Sequence, residues 1–167
     1  MRFAGQAFRL GRYAIHFHMV GEVRNSYVRA NSIHHTFNRA VAIHGVHYLR
    51  VTDNVVYETM GHAFFLEDGQ ETKNVISGNL GVNTRESFAM LGSDTTPATF
   101  WIVNMDNTVT RNVAAGSSHY GFWYFMEPEV RGASAALPGM EKVCPQGVPL
   151  KLFSDNEAHS NGRYGLK

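Results

Sequence analysis

The chain has 167 residues, 44% of them hydrophobic and 17% charged, a composition that predicts an ordered structure with a buried core and excludes disorder. Lysines and arginines number 15 against 14 acidic residues, so the net charge of +1 leaves no basic excess for binding nucleic acid. No apolar run approaches the roughly 18 residues of a transmembrane helix, which predicts no membrane insertion by this segment, and a single cysteine, Cys144, excludes an internal disulfide.

Short apolar runs broken by glycine, asparagine and aspartate predict short strands, because no helical period of 3.6 residues persists. Within these runs one pattern recurs, in which an apolar residue is followed three positions later by asparagine. Successive asparagines lie 23, 25, 33 and 44 residues apart, which is typical of solenoid coils with insertions in the last two intervals. The pattern predicts an internal asparagine ladder, and the alternative is that these residues only mark surface turns: Asn31, Asn54, Asn79, Asn112 and Asn156.

A second type of strand follows each asparagine, at residues 40–44, 63–67, 99–103 and 121–125, and residues 12–16 fit the same register. The residues left between these strands form two side-loop insertions, near 83–97 and 126–150. Residues 1–167 are therefore predicted to form an all-β, right-handed, single-stranded parallel β-helix of the pectin-lyase-like type, with about five to six coils. Because both ends carry strand-like residues, we expect an excerpt of a longer solenoid whose neighbouring coils are its partners.

Side-chain alternation along the second type of strand predicts an outward-facing column that contains His16, His44 and Glu67. Equivalent residues on successive parallel coils stand about 4.8 Å apart, so two imidazoles and a carboxylate could converge on one divalent ion such as Zn²⁺. Further histidines and Asp68 lie within a few residues of this column. Two interpretations remain open, a metal site or a hydrogen-bonded polar ladder without an ion, and no catalytic residue is assigned.

The neighbouring outward column is aromatic and contains Phe65, Trp101 and Trp123. Exposed aromatic rings on a β-helix provide a platform on which sugar rings stack, so these residues are predicted to bind ligand. The alternative is that the two side loops fold over the rings and bury them. The clustered acids Glu67, Asp68 and Glu71 do not by themselves indicate a glycosidase, because their local spacing does not determine a carboxylate separation.

Five separated motifs occur in order along nearly the whole chain, namely GRYAIHFH at 11–18, SIHHTFNRAV at 32–41, GHAFFLEDG at 61–69, TPATFW at 96–101, and AAGS with HYGFW between 114 and 123. They resemble the β-helix region of the family that comprises fibrocystin-L, cell-migration-inducing hyaluronan-binding protein and transmembrane protein 2. Ala14 departs from the family's usual proline, and Asp106 removes a glycosylation acceptor. The resemblance implies a parallel β-helix within a large extracellular or cell-surface protein.

The resemblance also implies two kinds of function. Depolymerisation of hyaluronan is linked to two members of the family, whereas fibrocystin-L is regarded as a surface-coat or receptor-like protein. We therefore expect a structural or ligand-binding segment of a fibrocystin-L-like surface protein, with polysaccharide as the candidate ligand. The alternative is a metal-assisted depolymerase of a hyaluronan-like polysaccharide, with its ion at the histidine column.

Overall fold

The computed structural model describes residues 9–89 and 91–167, whose strands follow one another in five coils. The first coil contains β1 (Ile15–Glu22), β2 (Tyr27–Arg29) and β3 (Ser32–Thr36), and the second contains β4 (Val41–His47), β5 (Arg50–Thr52) and β6 (Val55–Thr59). The third contains β7 (Phe64–Leu66), β8 (Val75–Ser77) and β9 (Leu80–Val82). The fourth contains β10 (Ala98–Ile102), β11 (Thr108–Thr110) and β12 (Val113–Ala115), and the fifth β13 (Tyr120–Tyr124), β14 (Leu152–Ser154) and β15 (Glu157–His159).

Equivalent strands of the five coils pair in parallel and form three five-stranded sheets. The first sheet contains β1, β4, β7, β10 and β13, the second contains β2, β5, β8, β11 and β14, and the third contains the remaining five strands. Each coil is too thin to bury its own apolar residues, so stacking of the coils creates the core. The predicted all-β parallel β-helix is confirmed.

Aromatic rings form the centre of this core. Phe64, Phe100 and Phe122 lie on successive coils, and their ring centroids are 4.7 Å apart in nearly parallel planes. Val41 precedes them in the same column. All four side chains are almost fully buried. Removing an apolar side chain of this size from water stabilises the fold by about 2 kcal/mol.

The five repeated asparagines lie at the turn between the second and third sheets and form a continuous ladder. The amide Nδ2 of each residue donates to the Oδ1 of the next, at 2.9 to 3.1 Å. The same Oδ1 atoms accept the backbone N–H of the preceding asparagine, as Asn79 does for Asn54 at 3.1 Å. Because the amides satisfy the backbone groups exposed at each turn, the coil can bend inside the structure without leaving unpaired polar atoms.

The predicted register is wrong by two residues in β1. Ile15, and not Tyr13, pairs with Val41, so His18 lies opposite His44 while His16 lies opposite Ala42. A slip of two residues keeps every side chain on the same face of a strand, so alternation alone does not detect it. The pairing then shifts between His18 and Gly21, where Met19 adopts a left-handed backbone conformation with φ of 54°.

Two long excursions leave the coils beside the first sheet. Residues 83–97 connect β9 to β10 and contain the 3-10 helix Gly92–Thr95. Residues 125–151 connect β13 to β14 and contain the 3-10 helices Gly132–Ala136, Met140–Lys142 and Pro145–Gly147. We refer to them as the first loop and the second loop. Within residues 9–89 and 91–167, no helix has the length and apolar character needed to span a membrane.

Candidate functional site

A cleft lies on the outer face of the first sheet, between the two loops. Its larger part, of about 430 Å³, is lined by Phe65 and Trp101 of the sheet, Gly92 and Ser93 of the first loop and Arg131 of the second. A smaller part, of about 270 Å³, is lined by His16 and His18 of β1 and His44 of β4. Both parts are also lined by Leu10, Glu67, Asp68 and Gly132. The two parts therefore form one continuous cleft, which brings the predicted histidine and aromatic columns together.

The aromatic column does not form an open platform. Phe65 and Trp101 are each only 3% exposed, and Trp123 is half-buried beneath the ammonium of Lys167, which lies 3.9 Å from its ring centroid. The guanidinium of Arg39 covers the Phe65 ring at 3.9 Å. The rings are therefore largely covered, in part by Arg39 and Lys167, which lie outside the two predicted side loops, and they contribute to the floor of the cleft.

An ion pair inside the protein holds the first loop against the sheet. Arg39, which follows β3, and Asp94 of the first loop are hydrogen-bonded and are at most 1% exposed. The backbone N–H of His62 also points at Asp94, at 3.4 Å. Because a buried charge is tolerated only when it is paired, Arg39 and Asp94 require each other, and their pairing closes one wall of the cleft.

His62 lies beneath this pair and is completely buried. Its Nδ1 accepts the backbone N–H of Ala98 at 3.0 Å, which requires the neutral imidazole. Burial, reinforced by the charge of Arg39, lowers the pKa of His62 well below its usual value. The ring of His62 stacks on Phe65 and packs tilted against Trp101, so it is a packing residue of the cleft floor and not part of the histidine cluster.

The histidine cluster contains His16, His18 and His44. The Nδ1 atoms of His18 and His44 are 3.1 Å apart, and the same Nδ1 of His44 lies 3.3 Å from Oε2 of Glu67. The ring of His16 stacks on His44 at a centroid separation of 6.0 Å. The structure therefore brings the predicted residues His16, His44 and Glu67 together, but it adds His18 as the direct neighbour of His44.

Hydrogen bonds on the far sides of the rings orient this cluster. Nδ1 of His16 bonds the carbonyl of Gly11 at 2.8 Å, and Nε2 of His44 bonds Oδ2 of Asp68 at 2.7 Å. Burial lowers the pKa of His16, which favours its neutral form. Burial opposes the charged form of His44 as well, but the surrounding carboxylates of Asp68, Glu67 and Glu71 together raise the pKa of this histidine.

Asp68 connects the cluster to the second loop. Its Oδ2 accepts the backbone N–H of Ser134 at 2.9 Å, and its carbonyl accepts the N–H of Arg131 at 2.9 Å. Gly132, between them, has a φ of 59°, and a Cβ at that position would overlap the Asp68 carboxylate. Glycine is therefore required where the second loop approaches the site, since any side chain would push the loop away.

The buried carboxylate of Glu71 holds the turn that presents Glu67 and Asp68. Its oxygens accept the backbone N–H groups of Gly45 at 2.9 Å and Gly69 at 2.8 Å, and also that of Asp68. Burial raises the pKa of Glu71 even though these hydrogen bonds favour its ionised form. Glu71 therefore positions the site from below and does not line the cleft.

The two acids in the cleft differ in their electrostatic environments. Burial is the main cause that raises the pKa of Glu67. Burial acts in the same direction on Asp68, but hydrogen bonds from His44 and Ser134 outweigh it and lower the pKa of Asp68. Adjacent carboxyl groups with pKa values shifted in opposite directions are suited to separate proton-donor and proton-acceptor roles.

Other histidines near the predicted columns lie elsewhere. His47 bonds the Thr72 hydroxyl at 3.0 Å, and burial lowers the pKa of His47. His34 and His35 bond each other at 2.8 Å on the third sheet, away from the cleft. Sequence reasoning did not identify the loop residues that complete the site, because their contacts join positions far apart in the chain: Arg39, Asp94, Arg131, Gly132 and Ser134.

Comparisons with known proteins agree with this architecture. The family model described as CEMIP beta-helix matches residues 1–166. This chain belongs to the CEMIP beta-helix family. Human fibrocystin-L is 46% identical over 164 residues, covering 98% of this chain and 4% of the relative. Human cell surface hyaluronidase CEMIP2 is 36% identical over 190 residues, covering 95% of this chain and 14% of the relative.

A more distant member, communication mutant protein F of Dictyostelium discoideum, is 33% identical over 189 residues, covering 98% of this chain and 17% of the relative. The chain thus matches only a small fraction of the length of each of these relatives. Membership of the CEMIP beta-helix family confirms the resemblance found in the motifs. The family match concerns the β-helix and extends over residues 1–166.

Proposed function

We propose that this chain is a β-helix segment of an extracellular or cell-surface protein and that it binds polysaccharide in the cleft between its two loops. The names of two relatives, cell surface hyaluronidase CEMIP2 and cell migration-inducing and hyaluronan-binding protein, support this choice of location and ligand class. The proposal does not require catalysis by this segment.

The observation that carries the proposal is the chemistry of the cleft lining. Leu10 and Leu91 provide accessible apolar surface over the buried rings of Phe65 and Trp101 at its floor. Ser93 and the 46%-exposed side chain of Arg131 lie at its walls. A sugar ring has apolar faces and a polar edge, so a cleft with an apolar floor and hydrogen-bonding walls matches it. The guanidinium of Arg131 pairs with Glu127 at 3.1 Å and retains further N–H donors, which can pair with the carboxylates of an acidic polysaccharide.

The proposed partners include neighbouring coils of the same parent chain. Within the described residues, β2 and β3 at one end, and β14 and β15 at the other, pair with a strand on one side only. An unpaired edge exposes a row of N–H and C=O groups that another strand can satisfy. Additional coils stacked at these edges would extend all three sheets in register.

The test uses purified protein that carries this chain and hyaluronan oligosaccharides of defined length. We expect saturable binding by calorimetry, weakened roughly fivefold by Arg131→Ala, since an exposed charge pair contributes up to about 1 kcal/mol. Arg50→Ala, an exposed arginine of the second sheet, is the matched control and should bind normally. Absence of saturable binding, or equal weakening by both substitutions, would contradict the proposal.

A second candidate function is metal-assisted depolymerisation of a hyaluronan-like polysaccharide. The grouping of His16, His18 and His44 beside Glu67 in the same cleft favours it, because an ion held there could activate a water molecule next to a bound polymer. Chromatography of hyaluronan after incubation distinguishes the two functions. Shortening of the polymer that a chelator abolishes would support depolymerisation, whereas binding without shortening would support the binding function.

A further inference from the structure

Nδ1 of His44 in the histidine cluster faces two neighbouring polar atoms that a single ring proton cannot both satisfy. Nε2 of His44 faces the Asp68 carboxylate at 2.7 Å, so this nitrogen carries the proton of the neutral ring and Nδ1 carries the lone pair. That Nδ1 lies 3.1 Å from Nδ1 of His18 and 3.3 Å from a carboxylate oxygen of Glu67. A proton relieves one of these two contacts, whereas a cation among the three atoms relieves both.

The separations of these atoms match the geometry of a tetrahedral metal ion. With metal-to-ligand bonds of about 2.0 to 2.1 Å, neighbouring ligand atoms of a tetrahedron lie about 3.3 Å apart. The observed separations around Nδ1 of His44 are 3.1 Å to His18 and 3.3 Å to Glu67. These two separations fit an ion bound through Nδ1 of His44, while His16 and Glu67 belong to two groups that share His44, so one of their side chains must move inward to bind the same ion.

One further polar atom at the site, Nε2 of His16, is buried without a hydrogen-bond partner among the described residues. The same is true of Oε2 of Glu67, the oxygen that lies 3.3 Å from His44. His16 bonds the Gly11 carbonyl through Nδ1, which leaves the lone pair on Nε2 available. One ligand atom of each of the three histidines lies within 4.8 Å of the others, so His16 can supply a further ligand.

The groups behind the ligands have the pattern of an outer coordination shell. Metal-bound histidines typically donate their second ring N–H to a carboxylate or a backbone carbonyl. His44 bonds Asp68 in this way and His16 bonds Gly11, while Ser134 holds the Asp68 carboxylate through its backbone N–H at 2.9 Å. The exposed edge of His18 leaves an access route for the ion from solvent.

We infer that His16, His18, His44 and Glu67 form a binding site for a divalent transition metal ion such as Zn²⁺. Imidazole nitrogens combined with one carboxylate select zinc, copper or nickel over calcium and magnesium, which prefer ligand sets made only of oxygen. The inference goes beyond the proposed function because it needs no sugar. It replaces the ligand set predicted from the sequence with one that includes His18.

The test is calorimetric titration of ZnCl₂ into the metal-free protein at about pH 7.5. We expect one saturable site whose affinity falls more than about 100-fold in His18→Gln and in His44→Gln, since each removes a ligand. Asp68→Asn should reduce the affinity by about 10-fold to 100-fold, the usual effect of an altered outer shell. The double variant H34Q/H35Q removes an equally close histidine pair on the third sheet and should bind normally.

Two additional measurements keep the test decisive. Thermal unfolding of each variant without metal should match the parent, which identifies any loss that comes from misfolding. Co²⁺ bound to the parent should give the absorption spectrum of a four-coordinate nitrogen and oxygen site, with no variant required. The inference would be overturned if His18→Gln did not change the zinc affinity or if the parent had no saturable site. The contact between His18 and His44 would then be a hydrogen bond through a proton. Neither result depends on whether hyaluronan binds.

Discussion

The asparagine turn and the cleft meet the same physical requirement in opposite ways, because both must satisfy polar groups away from water. At the turn, each asparagine bonds the same residue on the next coil, as Asn54 does with Asn79 at 2.9 Å. In the cleft, each contact occurs once and joins distant segments, as between Ser134 and Asp68. Repetition distributes stability along the axis, whereas binding groups collect where the repeat is interrupted by loops.

The largest loss of stability is expected from a substitution in the ion pair beside the cleft. Asp94→Ala leaves the charge of Arg39 buried without a partner and should reduce the free energy of unfolding by about 3 to 5 kcal/mol. Urea denaturation measures the loss. The double variant Asp94→Ala with Arg39→Met no longer buries an unpaired charge and should recover much of the stability. A loss under about 1 kcal/mol in the single variant would show that the pair does not hold the first loop.

On the turn side, the position within the ladder should determine the effect. Asn54→Ala removes bonds to asparagines on both neighbouring coils and should cost about 1 to 3 kcal/mol. Asn31→Ala, at the end of the described ladder, loses a partner on one side only and should cost about 1 kcal/mol or less. Equal losses of unfolding free energy for the two variants by chemical denaturation would contradict a ladder in which interior asparagines are stabilised from both sides.

The buried His62 should make the cleft floor sensitive to acid. Its pKa is lowered in the folded state, so below about pH 6.5 the unfolded chain binds a proton that the folded chain excludes. The contribution of His62 to the free energy of unfolding is therefore fully present above that pH. It decreases as pH falls, by about 1.4 kcal/mol between pH 7.5 and pH 5.5. Comparing urea denaturation of the parent with His62→Gln at both pH values isolates this contribution. The same pH dependence in both proteins would contradict it.

The smallest effect is expected on the outer face of the second sheet. Arg29 and Asp53 form an ion pair at 3.5 Å with both side chains more than half exposed. Arg29→Ala should change the unfolding free energy by less than about 0.5 kcal/mol, because water and salt screen such pairs. Thermal unfolding at low and high salt is the measurement. A larger, salt-sensitive loss would mean that surface pairs contribute to coil stacking.

The sequence predicted the repeated parts of the fold and left the loops undetermined, for a physical reason. The offset from Val51 to Asn54 and the alternation around Phe64 recur in every coil, so each copy supports the others. The placement of His16 opposite His44 was wrong because a slip of two residues preserves the faces of β1. The contact of Arg39 with Asp94 spans 55 residues and has no local pattern, so only the folded structure shows it.

The way both loops leave and rejoin the coils allows loop length to differ among family members. Each loop begins and ends at strands that pair in register with their neighbours. Loop length can therefore change without shifting the strand pairing or the asparagine ladder. The alignment with human CEMIP2 runs over 190 positions, more than the 167 residues of this chain, so that relative carries additional residues within the matched region. Replacing the segment around Gly132–Ala136 with the equivalent segment of another family member would change one wall of the cleft and leave the three sheets unchanged.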